Sequence, residues 1–343
     1  MKFMNAEVSW GDGWLHGESV CWVAAALLLL GTLVCGHGQA GEAPAPQRIR
    51  YEGWPGSYLL SNGQVEAVVA PLVGRVMQFR FVGEETPFWE DTALYGKPPE
   101  PDSKDWVNFG GDKTWPAPQA DWGKVAKRAW PPPRAFDSMP VMVKVEGRGL
   151  VLRSIIDPHY GIRTERHIEL DPDRPVMRIR TIYHKVAGDP VTVAVWVITQ
   201  LKDPVAVFLP VPKNSPFAKG YTNQSAGTPL DLKVQDGLVS LRRKTDSGEK
   251  IGNDAGALLW VGERQMLSIE SPREASGEFP DGGASAEVWT NGDPQKYVEL
   301  ETLGPLQTLH VGDQIERTNT YTLLKRTGAS PEVEARKVLL GGK

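Results

Sequence analysis

Cysteine is almost missing from this 343-residue chain: there are two, Cys21 and Cys35, both within the first forty positions. Past them, no disulfide, thiolate nucleophile or cysteine metal site can form. Histidine is nearly as scarce, leaving His159, His167, His184 and His310 after position 40. No two have the spacing that sets a pair on one helix face, so a zinc site has no specific support and no metal is expected. Basic runs are absent as well. The formal net charge is −4, of which the first forty residues supply −2 (Lys2 against Glu7, Asp12 and Glu18), leaving −2 for the remainder. A chain without a basic stripe is not expected to bind nucleic acid. There is no G-x-S-x-G elbow, phosphate loop or dinucleotide fingerprint, so no cofactor is implied.

The one long apolar run is Cys21 to Cys35, CWVAAALLLLGTLVC. It is short for a membrane span, which takes roughly 20 residues. It suits a signal-peptide core, with Gly38-Gln39-Ala40 as a small-x-small cleavage site. The expectation is a signal peptide over 1–40 and a single mature domain over 41–343, periplasmic or secreted. Glu7, Asp12 and Glu18 run against the usual positive start, so either the true start lies downstream of Met1 or the signal is atypical. An uncleaved anchor and a cytoplasmic chain are the alternatives. Thr32-Leu33-Val34 does not supply the small residue that a lipoprotein wants before Cys35.

What is present, from about residue 48, is β pattern. Alternation predicts strands over 65–69, 75–81, 141–145, 150–156, 162–170, 176–184, 191–199, 206–209, 238–242, 257–261, 266–271, 284–290, 297–303 and 319–324. Turn signals such as Asn62-Gly63, Asp236-Gly237 and Asn291-Gly292-Asp293 separate them. A dozen or more short strands with almost no helical periodicity predict an all-β sandwich or barrel, with a core at about 48–327. One helix is expected at the tail, where Ser330 can cap Pro331 to Leu340. The stretch from Glu84 to Asp137 reads as irregular. It carries Pro98, Pro99, Pro101, Pro116, Pro118, Pro131, Pro132 and Pro133, and also Trp89, Trp106, Trp115, Trp122 and Trp130. That aromatic content predicts an ordered excursion over one face rather than disorder.

Two groups of residues could carry chemistry. Asn108 to Trp122, NFGGDKTWPAPQADW, fits neither helix nor strand and reads as a loop. Its Gly110-Gly111 allows positive φ or a close backbone approach. Asn108, Asp112, Lys113 and Gln119 beside the flat face of Trp115 are the groups a sugar site needs: an indole for ring C–H faces, and polar groups for hydroxyls. The alternative is that Trp115 and Trp122 plug the core and Asp112-Lys113 is a solvated turn. In the second group, Glu299 and Glu301 lie two apart on a strand and leave the same face. Crowding would raise the pKa of one of them, unless the pair is a solvated edge. The sequon Asn223-Gln224-Ser225 is too weak a signal to use.

These residues resemble the DUF4380 family. Gly110-Gly111-Asp112-Lys113-Thr114-Trp115-Pro116-Ala117-Pro118-Gln119 looks like its G-G-D-K-x-W-P-A-P-Q signature, and Trp196 to Gln200 is similar to its W-x-x-T-Q strand. Lys250-Ile251-Gly252, Pro280-Asp281-Gly282-Gly283 and Val298 to Pro305 follow in order. That family is similar to the galactose mutarotase-like superfamily. The resemblance therefore implies an all-β, galactose mutarotase-like β-supersandwich with a short C-terminal helix and a concave sugar-binding face. It implies a carbohydrate ligand, with Gln200 and Lys250 joining the binding groups and Glu301 or Glu299 in the place of the mutarotase base. The N-x-x-H-x-Y motif that carries the acid is absent, and Trp196-Val197-Ile198-Thr199-Gln200 stands where it would lie. An amide such as that of Gln200 does not titrate, so Asp112, Lys113 or Lys250 would have to replace the acid. The expectation is an exported carbohydrate-binding protein. The alternatives are an aldose 1-epimerase-like or other carbohydrate-active enzyme, and a non-catalytic structural envelope protein.

Overall fold

Apolar residues at every second position pair into two large sheets in the computed structural model, which describes residues 44–100 and 104–341. The expected signal peptide lies outside the described residues. The first sheet runs in the order Gln47–Tyr51, Trp54–Ser61, Val65–Ala70, Arg75–Phe81, Asp112–Ala117, Val191–Lys202, Tyr297–Leu303, Ala286–Thr290, Glu249–Asn253 and Thr222–Asn223. The short Gln307–Leu309 strand adds to the outer end of Val191–Lys202. The second runs Leu230–Gln235, Leu238–Arg242, Ala206–Pro210, Ala257–Val261, Gln265–Glu270, Gln314–Lys325, Val176–Lys185, Ile162–Leu170, Gly149–Arg153 and Met142–Glu146. Neighbours at both centres are antiparallel.

The main core lies between the sheets, where Leu60, Val65, Phe79, Val288, Val298 and Leu300 meet Leu150, Ile168, Met177, Leu267 and Tyr321. Because strand side chains alternate, the residues between these inward ones must leave by the opposite face. On Tyr297–Leu303 these are Tyr297, Glu299, Glu301 and Leu303, and the whole strand is buried. So the two glutamates do not form a solvated edge. Trp106 and Trp130, on either side of the Asp112–Ala117 strand in the chain, pack over that outer face.

Arg75–Phe81, Ile162–Leu170, Leu238–Arg242, Ala257–Val261 and Tyr297–Leu303 form over the residues that alternation predicts. The tail helix Pro331–Leu340 also forms, with the Ser330 side chain accepting from Val333 N–H. One reading is corrected. Asn108 to Trp122 is not a loop throughout: Asp112–Ala117 is a fully buried strand in the middle of the first sheet. It pairs with Val191–Lys202 from Ala117 opposite Ala194 to Asp112 opposite Thr199. Its other neighbour, Arg75–Phe81, touches it only at Asp112. The Pro116 carbonyl, on the same side as the missing N–H, instead accepts from Trp122 Nε1 at 2.7 Å. Proline is therefore tolerated on an edge that carries no ladder. The strand starts flush against its surroundings because Gly110 and Gly111 have φ of +88° and +72°. A Cβ at Gly110 would lie 2.3 Å from Trp89 O, and one at Gly111 2.5 Å from Val76 O.

Candidate functional site

Strand register brings the chemistry together. Across the outer face, Ile198 pairs with both Lys113 and Glu301, and Glu301 pairs with Glu287. In the adjacent row Gln200 pairs with Glu299, Glu299 with Trp289, and Trp289 with Lys250. These rows floor a cavity of about 370 Å³, within the usual range for a small-ligand site. Its polar lining is Gln119, Gln224, Lys250, Asn291, Glu299 and Glu301, and its aromatic lining is Trp106, Trp115, Trp130, Trp196, Trp289 and Tyr297.

The charges are heavily buried. Lys113, with no exposed surface, pairs with Glu299 at 3.2 Å and stands 4.9 Å from the Trp115 ring centre. Burial drives its pKa down, against the pull of Glu299. Lys250 lies 2.7 Å from Glu287 Oε2 as an ion-pair contact and donates to Glu301 Oε2 at 2.9 Å. Burial works to lower the pKa of Lys250, but Glu287 and Glu301 outweigh it and raise it. Its ammonium also sits 4.6 Å from the Trp196 ring centre, and Trp196 Nε1 donates to Glu301 Oε2 at 2.7 Å. Burial pushes Glu301 up to about 8, despite Lys250. Gly252 completes this corner, since a Cβ there would lie 2.6 Å from the Gln224 amide and 2.8 Å from Ala284 Cβ.

The wall is a tryptophan cluster. Trp115 meets Trp106, Trp122, Trp130 and Trp196 edge to face at centroid distances of 5.3–6.0 Å. Asp137 fixes two of these rings. Its Oδ1 accepts from Trp115 Nε1 at 2.8 Å and from buried Arg75 at 2.8 Å, while its Oδ2 accepts from Trp106 Nε1 at 3.2 Å.

Of the residues singled out in the sequence, Lys250, Glu299, Glu301, Trp115 and Gln119 line the cavity. Lys113 supports it from beneath through Glu299. Asn108 and Gln200 do not line the cavity but flank the hydroxyl of Tyr297, which does, and both Gln200 amide atoms are buried without a well-formed hydrogen bond. Asp112 does not join them. By strand parity it faces the second sheet, where it takes Arg166, Thr199 Oγ1 at 2.7 Å and the Tyr321 hydroxyl at 2.6 Å. It is also fully buried, so Asp112-Lys113 is no solvated turn. Trp115 is 4 % exposed and presents little face, whereas Trp130 is 47 % exposed and Trp106 and Trp289 are half-buried. Among the described residues no histidine lines the cavity: His167 sits against Glu165 and His310 near Asp313.

Sequence reasoning missed Glu287, Gln224, Trp289 and Asp137. Glu287 and Trp289 share one face of an alternating strand, a signal as visible as the Glu299/Glu301 pair. Gln224 stood out only as part of a sequon, and Asp137 carried no local signal. A wider cleft of about 690 Å³ lies beside the tail helix. Its Arg242–Asp231 and Arg336–Asp236 pairs are exposed and screened by solvent, so it is the weaker candidate. Among the described residues, no helix is long and apolar enough to cross a membrane.

Comparison with known proteins agrees with this architecture. The sequence matches the family described as "Domain of unknown function (DUF4380)" over residues 57–324. No curated protein matches it. Among solved structures it is similar to a galactose mutarotase-like protein from Lactobacillus casei ATCC 334, at 9% identity and a TM-score of 0.54, covering 78% of this chain and 100% of that one. It is also similar to a candidate mutarotase from Salmonella typhimurium, at 12% identity and a TM-score of 0.54, covering 82% and 95%. A third is a candidate aldose 1-epimerase from Klebsiella pneumoniae, at 13% identity and a TM-score of 0.51, covering 81% and 82%. At these identities the likeness is one of fold. The chain belongs to the DUF4380 family and has a galactose mutarotase-like fold.

Proposed function

We propose that this protein binds a carbohydrate in the cavity on the outer face of its first sheet, and that it does so as an exported protein. The observation that carries the reading is the convergence of Glu299, Glu301, Lys250, Gln224, Asn291 and Gln119 with half-buried indoles on one cavity. Flat apolar plates with dispersed donors and acceptors match a sugar ring, whose C–H faces are apolar and whose edges are hydroxyls. Buried ion pairs add little net stability over apolar packing, which argues against a purely structural role for so many of them. Calorimetric titration with neutral mono- and oligosaccharides tests the reading. Trp289→Ala should weaken binding by about 1–3 kcal/mol, by analogy with aromatic stacking on other planar ligands, at unchanged melting temperature.

A catalytic reading is favoured by one observation, the buried Glu301 carboxyl on the cavity floor. Anomerisation needs a base and an acid flanking one sugar, and among the described residues no histidine lines the cavity to share the work. Polarimetry on freshly dissolved anomers of glucose and galactose should show exchange at the uncatalysed rate. Acceleration abolished by Glu301→Gln would make the epimerase reading the leading one.

A further inference from the structure

Three carboxylates meet two lysines around the cavity. Glu299 has Lys113 to itself. Glu287 and Glu301, directly opposite on paired strands, share Lys250. Glu287 is 0 % and Glu301 1 % exposed. One ammonium cannot balance two carboxylates out of water, and the cheaper remedy for the second charge is a proton.

Hydrogen bonding indicates where that proton sits. At Glu287, Oε1 accepts from Gln224 Nε2 at 2.6 Å, while the buried Oε2 makes no hydrogen bond and lies 2.7 Å from the Lys250 ammonium, so a proton there would face a positive charge. At Glu301, Trp196 and Lys250 both donate to Oε2, and among the described residues Oε1 has no hydrogen-bond partner. A proton on Oε1 disturbs neither bond, and Glu301 lines the cavity. The charged and titratable groups around it are Lys250, Glu287, Glu299 with its partner Lys113, Tyr297, and Asp281 from the turn beyond Glu287. Burial, reinforced by Glu287, pushes Asp281 up to about 6.

We propose that Glu301 enters the cavity as a neutral carboxylic acid at neutral pH and donates a hydrogen bond from Oε1, with Glu299, held by Lys113, as the acceptor two residues away on the same strand face. This rests on the sugar-cavity reading for its ligand but not for the proton itself. It reverses the role of base that the family resemblance suggests for Glu301. The ligand it selects offers an acceptor oxygen to Glu301 and a hydroxyl to Glu299, roughly 7 Å apart at strand spacing.

The test is infrared titration of the full chain without ligand, following the carbonyl stretch of neutral carboxylic acids. The wild type should hold an acid band at pH 7 that disappears as pH rises past 8, with Asp281→Asn leaving it in place. Glu301→Gln should remove that band. Glu287→Gln, which gives Lys250 to Glu301 alone, should lower the pH of its disappearance by more than one unit, a tenfold change in proton affinity. No acid band at pH 7 in the wild type would overturn the assignment. So would a band that survives Glu301→Gln but is lost in Glu287→Gln. With a bound sugar, wild-type affinity should fall about tenfold per pH unit above the titration, and that of Glu301→Gln should stay flat. A band that behaves as expected in a protein that binds no sugar would sustain the proton and remove the carbohydrate reading alone.

Discussion

Trp115 shows how burial decides between two roles for one side chain. Its indole N–H is spent on Asp137, and its ring is enclosed by Trp106, Trp122, Trp130 and Trp196. Truncating a buried tryptophan costs about 3–5 kcal/mol. Trp115→Ala should therefore show that loss in urea unfolding, and any weakening of ligand binding would follow from the lost wall. The half-buried Trp289 should behave in the opposite way, losing affinity while keeping stability. Sequence composition pointed to this cluster but could not tell which ring was wall and which was plate. That distinction depends on which segments close over the strand, and they are distant in the chain: Asp137 is 22 residues from Trp115 and Arg75 is 62 from Asp137.

At the scale of the element, strand register turns scattered residues into one electrostatic unit. Lys250, Glu287 and Glu301 come from three adjacent strands and meet at 2.7–2.9 Å. Removing one partner of a buried ion pair typically costs about 3–5 kcal/mol. Lys250→Met should destabilise by that order, most of all above pH 8, where a second proton can no longer relieve the remaining carboxylates. A loss no greater at pH 9 than at pH 6 would show that the two glutamates do not share this lysine. Much of this element structure was legible. Tyr297–Leu303 and Arg75–Phe81 alternate cleanly, and a period of two places Glu299 and Glu301 on one face. Asp112–Ala117 was not legible, because its two flanking glycines and its proline are breaker signals locally. They are accommodated by a backbone crossing at Trp89 and an edge without a ladder, both of them tertiary facts. The same parity that gathers Lys113 and Trp115 sends Asp112 to the other side of the sheet.

For the whole molecule, the raised Glu301 pKa links stability to pH. A carboxyl with a usual pKa of 4.5, pushed up to about 8 in the fold, binds its proton more tightly when folded. Its contribution to stability is fully present below about 4.5 and is lost as pH rises toward 8. The melting temperature of the wild type should accordingly fall between pH 5 and pH 8, and Glu301→Gln should flatten that part of the slope. An equally steep fall in the variant would place the linkage elsewhere. The proposed export also belongs to this scale, and N-terminal sequencing of the mature protein should begin at or near Gly41.

The central claim is that a sugar occupies the tryptophan-walled cavity, and the indole N–H resonances of the intact protein report on it most directly. On titration with a panel of neutral mono- and oligosaccharides, at least one member should shift the signals of Trp106, Trp130, Trp196 and Trp289 together. Trp54 and Trp260, whose indoles are tied to Lys97 O and Lys202 O, should stay in place. Binding that moves only Trp54 or Trp260, or a whole panel that leaves the four cavity indoles unmoved, would contradict the account.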